Sequence, residues 1–207
     1  MYTNLLSQFP DIKRCYEKRI NTKPSNHELC LAIPKGKKFF GWFTYYKEKP
    51  IFCLVDSGKQ NIFIKYTSFN TDLCNTVVYG TQLFYKSNEA FSVEDVLMFQ
   101  SKYVNLYNYE EKLKLINYIF ENLHCNQIEK KFLMFGIPYS ASNINELYKN
   151  KDIPYMVYCY QYRKLKHLSP YLNYIGDNNL NNNYTTFKVT ADNRQDIYKL
   201  YCKEGFY

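Results

Sequence analysis

From residue 28 to about residue 100 the chain alternates aromatic and β-branched runs with short polar turns, and that pattern leaves few folds open. Glu28 to Ile33, Lys38 to Tyr46, Pro50 to Val55, Asn61 to Tyr66, Thr76 to Tyr85 and Phe91 to Phe99 each read as a strand. Their connections are Pro34-Lys35-Gly36-Lys37, Lys47-Glu48-Lys49, Ser57-Gly58-Lys59-Gln60 and Lys86-Ser87-Asn88-Glu89. Connections this short join antiparallel neighbours, so the segment predicts a curved antiparallel sheet or half-barrel. On the strand from Phe39 to Tyr45, Trp42 shares its face with Phe40 and Thr44 and reads as core.

The remaining segments add helices. Leu5, Phe9, Ile12 and Tyr16 recur at helical spacing, interrupted by Pro10, and predict an N-terminal helical segment over 1–27. Tyr109, Leu113, Ile116, Phe120 and Leu123 define one face of a helix whose start Glu110 and Glu111 favour; Lys112 and Lys114 follow them. Lys131 to Phe135 reads as a short strand, Ser142 to Asn150 as a short helix, and Pro154 to Arg163 and Tyr171 to Ile175 as strands. Residues 177–207 hold an Asn-rich loop, a strand from Tyr184 to Thr190 and a closing helix from Asp192 to Cys202. The expectation is an α+β protein, curved antiparallel sheet with packed helices, whose main domain spans 28–176 and is completed by 177–207.

Charge and cysteines bound the function. The net charge of +8, from 27 Lys and Arg against 19 Asp and Glu, favours an anionic partner such as RNA or a nucleotide. The same charge also fits a plain solvated surface. Seven widely spaced cysteines, without a CxxC or Cys/His cluster, argue against a zinc site or a disulfide framework and for a reducing compartment. No apolar stretch reaches the length of a membrane span, and no secretory leader is read, so a cytoplasmic chain without membrane partners is expected. His27, His124 and His167 stand apart from any nucleophile elbow, and Walker A and GxGxxG loops are absent. Glu94-Asp95 is the only acidic pair inside a strand-like run; it reads as a rim salt bridge, with a metal role as the alternative. No cofactor and no metal are expected.

Leu29-Cys30-Leu31-Ala32-Ile33-Pro34-Lys35-Gly36-Lys37-Lys38, followed by an aromatic strand, resembles the nucleotidyltransferase fold of mRNA capping enzymes and nucleic-acid ligases, where a strand ends at a K-x-D-G nucleophile motif. It is more similar to the non-catalytic P-x-G-K-R turn of the snurportin cap-binding family. Val77 to Leu83 and Phe91 to Leu97 resemble the following hairpin and F-x-x-x-D strand; Pro154 to Tyr162 and Pro170 to Ile175 resemble the later strands. The departures matter. With Gly36 on the motif glycine, Ile33 holds the nucleophile position and Lys35 the aspartate position. Thr81 or Gln82 replaces the acidic residue of the hairpin, and the later E-G is missing around Met156-Val157-Tyr158. Metal-assisted nucleotidyl transfer needs those groups, so the resemblance implies a binder and not an enzyme.

Under that resemblance Tyr174 matches the stacking aromatic, Lys37 and Lys38 the phosphate partners, and Lys35 an addition; Arg163, Lys164 and Lys166 would extend the basic surface. The expected function is RNA binding, possible at the 5′ cap, through a basic aromatic cleft. The chain, in particular Phe187 to Asp192 and Asp196 to Tyr201, is also similar to an uncharacterised family of large nucleocytoplasmic DNA viruses. That similarity keeps open a viral structural or scaffold protein with viral protein partners. An active transferase with a differently placed lysine is the third reading. A binder predicts that Lys35, Lys37, Lys38 and Tyr174 converge; a scaffold predicts that they disperse and that an apolar patch is exposed.

Overall fold

The computed structural model describes residues 3–124 and 132–175, with the backbone of 188–191, 198–202 and 205–206. The chain divides into two compact units, Met1–Ile175 and Gly176–Tyr207. The first opens with α1 (Thr3–Leu6), β1 (Glu17–Ile20), β2 (Leu29–Pro34), β3 (Lys37–Tyr46), β4 (Lys49–Asp56) and β5 (Ile62–Lys65). β6 (Thr76–Tyr85), β7 (Asn88–Phe99), β8 (Lys102–Tyr103), α2 (Tyr109–Glu121), β9 (Met134–Gly136) and β10 (Tyr139–Ala141) follow. α3 (Ile144–Lys149), β11 (Val157–Arg163) and β12 (Tyr171–Tyr174) complete it. The fold class is mixed α+β, dominated by sheet.

The strands make two sheets in this unit. One runs β5-β4-β3-β6-β7-β8, with β9 parallel to β7; the other runs β1-β12-β11-β2-β10. Pro34-Lys35-Gly36 is therefore a crossover between sheets, whereas its brevity predicts a hairpin. The reason is visible at Gly36: a Cβ there would lie 2.1 Å from the carbonyl oxygen of Gln82, so only glycine lets the turn press against β6 and redirect the chain. Gly136-Ile137-Pro138 makes the second crossover, from β9 to β10.

The true hairpins are tighter than their sequence suggests. Lys47-Glu48, Lys86-Ser87 and Gln100-Ser101 all have positive φ, as two-residue hairpin turns require. β7 consequently starts at Asn88, not Phe91. One face of the seven-stranded sheet is filled by Phe39, Phe43, Phe52, Phe91 and Val78 and covered by Ile116 and Ile119 of α2. Phe43 and Phe52 pack at 4.7 Å between ring centres, and Phe52 and Phe135 at 5.0 Å. Each such phenylalanine contributes roughly 1.5–3 kcal/mol by burial. Phe40 and Trp42 occupy the opposite face under Leu5, Phe9 and Ile12, as the alternation predicts for Trp42.

Two helix expectations need correction. Only one turn of the N-terminal segment is helical; residues 17–20 form a strand parallel to β12, and Tyr16 is exposed. Pro10 and the run of charged residues after Ile12 leave no apolar stripe to carry a longer helix. The second unit holds β13 (Lys188–Ala191), β14 (Tyr198–Cys202) and β15 (Gly205–Phe206) in one antiparallel sheet. Tyr198–Cys202 is thus a strand and not the end of a helix, in keeping with the preference of Tyr-rich, β-compatible residues for a paired strand. The Asn-rich loop, Lys131 and residues 192–197 lie outside the described residues. Among the described residues no helix is long and apolar enough to cross a membrane.

Candidate functional site

The crossover turn stands where the two sheets meet. The Lys35 amide donates to the Met156 carbonyl at 2.7 Å, fixing the turn to the start of β11, while the Lys35 and Lys37 side chains reach solvent. Lys37 lies 5.0 Å from the centre of the Phe39 ring. Lys38 turns the other way. Its ammonium meets Glu94 Oε2 at 2.5 Å, with 27% of the lysine side chain exposed and 2% of the glutamate. Thr81 Oγ1 donates to the other carboxylate oxygen at 2.5 Å.

Glu94 and Asp95 sit where a bulge breaks the β6–β7 register, between Tyr79 and Gly80 on the partner strand. The bulge lets both carboxylates turn inward, and each finds its own cation. Lys112 Nζ lies 3.0 Å from Asp95 Oδ1, with both side chains nearly fully buried, and Tyr171 Oη donates to Asp95 Oδ2 at 3.2 Å. The pair expected as a rim salt bridge is two buried ion pairs. Lys112 also reaches Cys15 Sγ at 3.1 Å. Burial, then the Asp95 charge, raises the Cys15 thiol above its ordinary range. Burial likewise pushes Tyr109 up to about 12 and raises Tyr171 still further, with Asp95 adding to the latter.

Arg163 was expected at the surface and is 2% exposed. Its guanidinium is held 4.2 Å from the Tyr109 ring centre and 3.8 Å from that of Tyr171. Its Nη1 donates to the Glu94 carbonyl at 2.7 Å, and its Nε to Gln161 Oε1 at 2.8 Å. The last residue of a strand that faces the other sheet cannot hold its charge in water, so aromatic faces and carbonyls replace the solvent. Lys164 is half-buried and Lys166 exposed.

At the β9–β10 crossover, a cavity of about 210 Å³ opens between the sheets. Leu83, Tyr85, Ala90 and Ser92 share one face of β6 and β7 by register and form its floor; Tyr139 and Tyr155 stand opposite. Tyr155 is fixed by two hydrogen bonds, its hydroxyl donating to the Ala32 carbonyl at 2.9 Å and accepting from the Tyr139 amide at 2.8 Å. Tyr139 meets it edge-on, with ring centres 6.2 Å apart. Burial pushes the Tyr155 phenol up to about 12. The Ser92 hydroxyl is buried and has no hydrogen-bond partner.

Of the residues chosen from sequence, Lys38 is brought to this seam; Lys35 is exposed on the turn, Lys37 shares the opposite face of β3 with Phe39, and Tyr174 is also turned away. Tyr171 faces inward on β12; Tyr174, three residues on, points to the opposite face and packs with Cys30, Ile144, Leu147 and Tyr162 at 6% exposure. Ile33, at the nucleophile position of the resemblance, is buried among Leu31, Tyr109, Cys159 and Tyr171. Among the described residues no group of three or more His, Cys, Asp or Glu is placed to hold a metal ion. Sequence reasoning missed Tyr85, Tyr139 and Tyr155, which nothing distinguishes among 23 tyrosines. It also missed Lys112, whose place between two buried-face positions of the helix was the one available signal. No known protein family and no curated protein matches the chain.

Proposed function

We propose that the Met1–Ile175 unit binds RNA or a nucleotide without transforming it, holding phosphate on Lys35 of the exposed crossover turn and a base in the cavity walled by Tyr85, Tyr139 and Tyr155. The observation that carries this reading is the contact of the turn with residues that adjoin both walls. Gly36 backs onto Thr81 and Gln82, just ahead of Leu83 and Tyr85 on β6, and Lys35 is tied to Met156, the neighbour of Tyr155. Lys35 is the exposed ammonium of this turn, while Lys37 lies on the opposite face of β3 over Phe39. Base stacking on an aromatic side chain is worth roughly 1–3 kcal/mol, and each lysine near a phosphate adds a salt-sensitive increment. Two sheets joined through a Pro-x-Gly-Lys turn are in keeping with the resemblance to the snurportin family, and Ile33 favours its non-catalytic branch.

Fluorescence anisotropy with short 5′-capped and uncapped RNAs, at low and physiological salt, tests this. Salt-sensitive binding that is lost in Lys35→Glu/Lys37→Glu and weakened in Tyr139→Ala supports it. Absence of binding at low salt overturns it and favours the scaffold reading, for which exposed Tyr103, Leu106 and Tyr107 ahead of α2 supply an apolar surface.

A further inference from the structure

Cys15 and Lys112 lie 97 residues apart in sequence and touch in space, and the nucleotide-binding reading uses neither. Among the described cysteines Cys15 is half-buried, whereas Cys30, Cys53, Cys74 and Cys159 are buried. A small oxidant reaches it first. Its sulfur lies 3.1 Å from Lys112 Nζ, which on its other side is 3.0 Å from Asp95 Oδ1. One enclosure thus holds an oxidisable thiol, an amine aimed at its sulfur and a carboxylate able to take the amine's proton.

We propose that Cys15 and Lys112 are the site of a reversible oxidative cross-link, a sulfenamide between Sγ and Nζ, formed in the presence of a hydroperoxide. In the first step Cys15 reacts as its thiolate, which burial and Asp95 disfavour and the Lys112 ammonium at its sulfur favours. The thiolate attacks hydrogen peroxide, and the thiol's proton goes to the departing hydroxide. The O–O bond breaks, one oxygen and its proton become the sulfenic acid, the other oxygen leaves as water, and sulfur is oxidised by two electrons. In the second step the Lys112 ammonium passes one proton to Asp95, and the free amine attacks sulfur. The N–S bond forms, the S–O bond breaks, and the departing hydroxide takes a second proton from nitrogen to leave as water. No further oxidant is consumed. The product ties the segment ahead of β1 to the buried face of α2 and replaces a buried ion pair by a neutral bridge beside a protonated Asp95. A thiol reductant opens the N–S bond and restores both side chains.

The neighbouring chemistry favours this cross-link over deeper oxidation. Sulfinic and sulfonic acids need further peroxide to reach the same sulfur, while the amine is already in contact with it. The reach of a lysine side chain, with four rotatable bonds, covers the remaining approach without moving α2.

The test is mass spectrometry of the full chain after peroxide treatment and proteolysis. The expected product is a joined pair of peptides containing Cys15 and Lys112, with a mass about 2 Da below the sum of the two. It should vanish on treatment with dithiothreitol, and it should be absent from Cys15→Ser and from protein oxidised in urea. The Cys15→Ser variant keeps the Lys112–Asp95 pair, and a melting curve checks that it folds. The cross-linked protein should melt higher than the reduced one, because a 97-residue separation is closed. Unlinked Cys15 found as sulfenic, sulfinic or sulfonic acid overturns the proposal. So does an unmodified Cys15, or a cross-link formed equally well in urea.

Discussion

The two faces of β6 and β7 show opposite solutions to burial. Towards α2 the sheet presents Phe91, Val93, Val78 and Gly80, and the enclosed space is apolar and aromatic. Towards the second sheet it presents Thr81, Ser92 and Glu94, and the space holds Lys38, Arg163, Gln161 and Tyr171. The first face is a core by composition. The second is a polar seam in which almost every charge has a dedicated partner, and the cavity and the basic turn open from it. Cores of the first kind stabilise through area removed from water; seams of the second kind contribute little net stability but penalise the loss of any single member.

That contrast gives an ordered set of expectations. Lys112→Met leaves Asp95 buried with neutral donors alone, the Tyr171 hydroxyl and the Val96 amide, and should cost about 3–5 kcal/mol in urea unfolding; adding Asp95→Leu should recover most of it. If the double variant is no better than the single one, the seam stabilises in the way the core does. Phe52→Ala, in the apolar face, should also cost about 3–5 kcal/mol, but no second substitution nearby should restore it. Thr81→Val removes one donor from Glu94 and should cost about 1–3 kcal/mol. Lys35→Glu/Lys37→Glu, on the exposed turn, should change stability by less than about 0.5 kcal/mol while abolishing RNA binding.

Acid–base behaviour separates the regions in a different way. Burial raises Cys30 and Cys159 to about 12 from 9.0, and Tyr109 and Tyr155 to about 12 from 10.0. A group whose folded value is raised keeps its proton in the native state after the unfolded chain has lost it. Stability from these groups is therefore complete below about pH 9 and falls as pH rises from 9 towards 12. Melting temperatures should be level up to about pH 9 and decline above it. Tyrosinate absorbance should report Tyr109 and Tyr155 ionising only as the protein unfolds.

How much of this could be read beforehand follows the same division. Strands β2 to β7 and helices α2 and α3 were legible because apolar periodicity reports one-sided burial directly. The separation into two sheets was not, because a four-residue Pro-Lys-Gly-Lys turn has the length of a hairpin; its steric fit against Gln82 exists only in three dimensions. Arg163 reads as a surface charge and Lys112 carries no assignment because nothing local announces a buried partner: the Glu94 carbonyl lies 69 residues from the first and Asp95 17 from the second. Lys35, Lys37 and Lys38 were chosen by the resemblance of their turn, and the register of β3 with β6 turns Lys37 and Lys38 to opposite faces. Tyr174 was chosen by alignment to a resembling strand, and a three-residue offset from Tyr171 was enough to place it on the opposite face.

The reading of the seam as a nucleotide-binding site is tested most directly by locating the base. Short RNA carrying one photoreactive base should be cross-linked to the protein and the attached residue identified by mass spectrometry. Attachment to Tyr85, Tyr139 or Tyr155, competed by unlabelled RNA, is the predicted result. Attachment confined to residues away from the cavity, such as Lys166 or Tyr103, would contradict it.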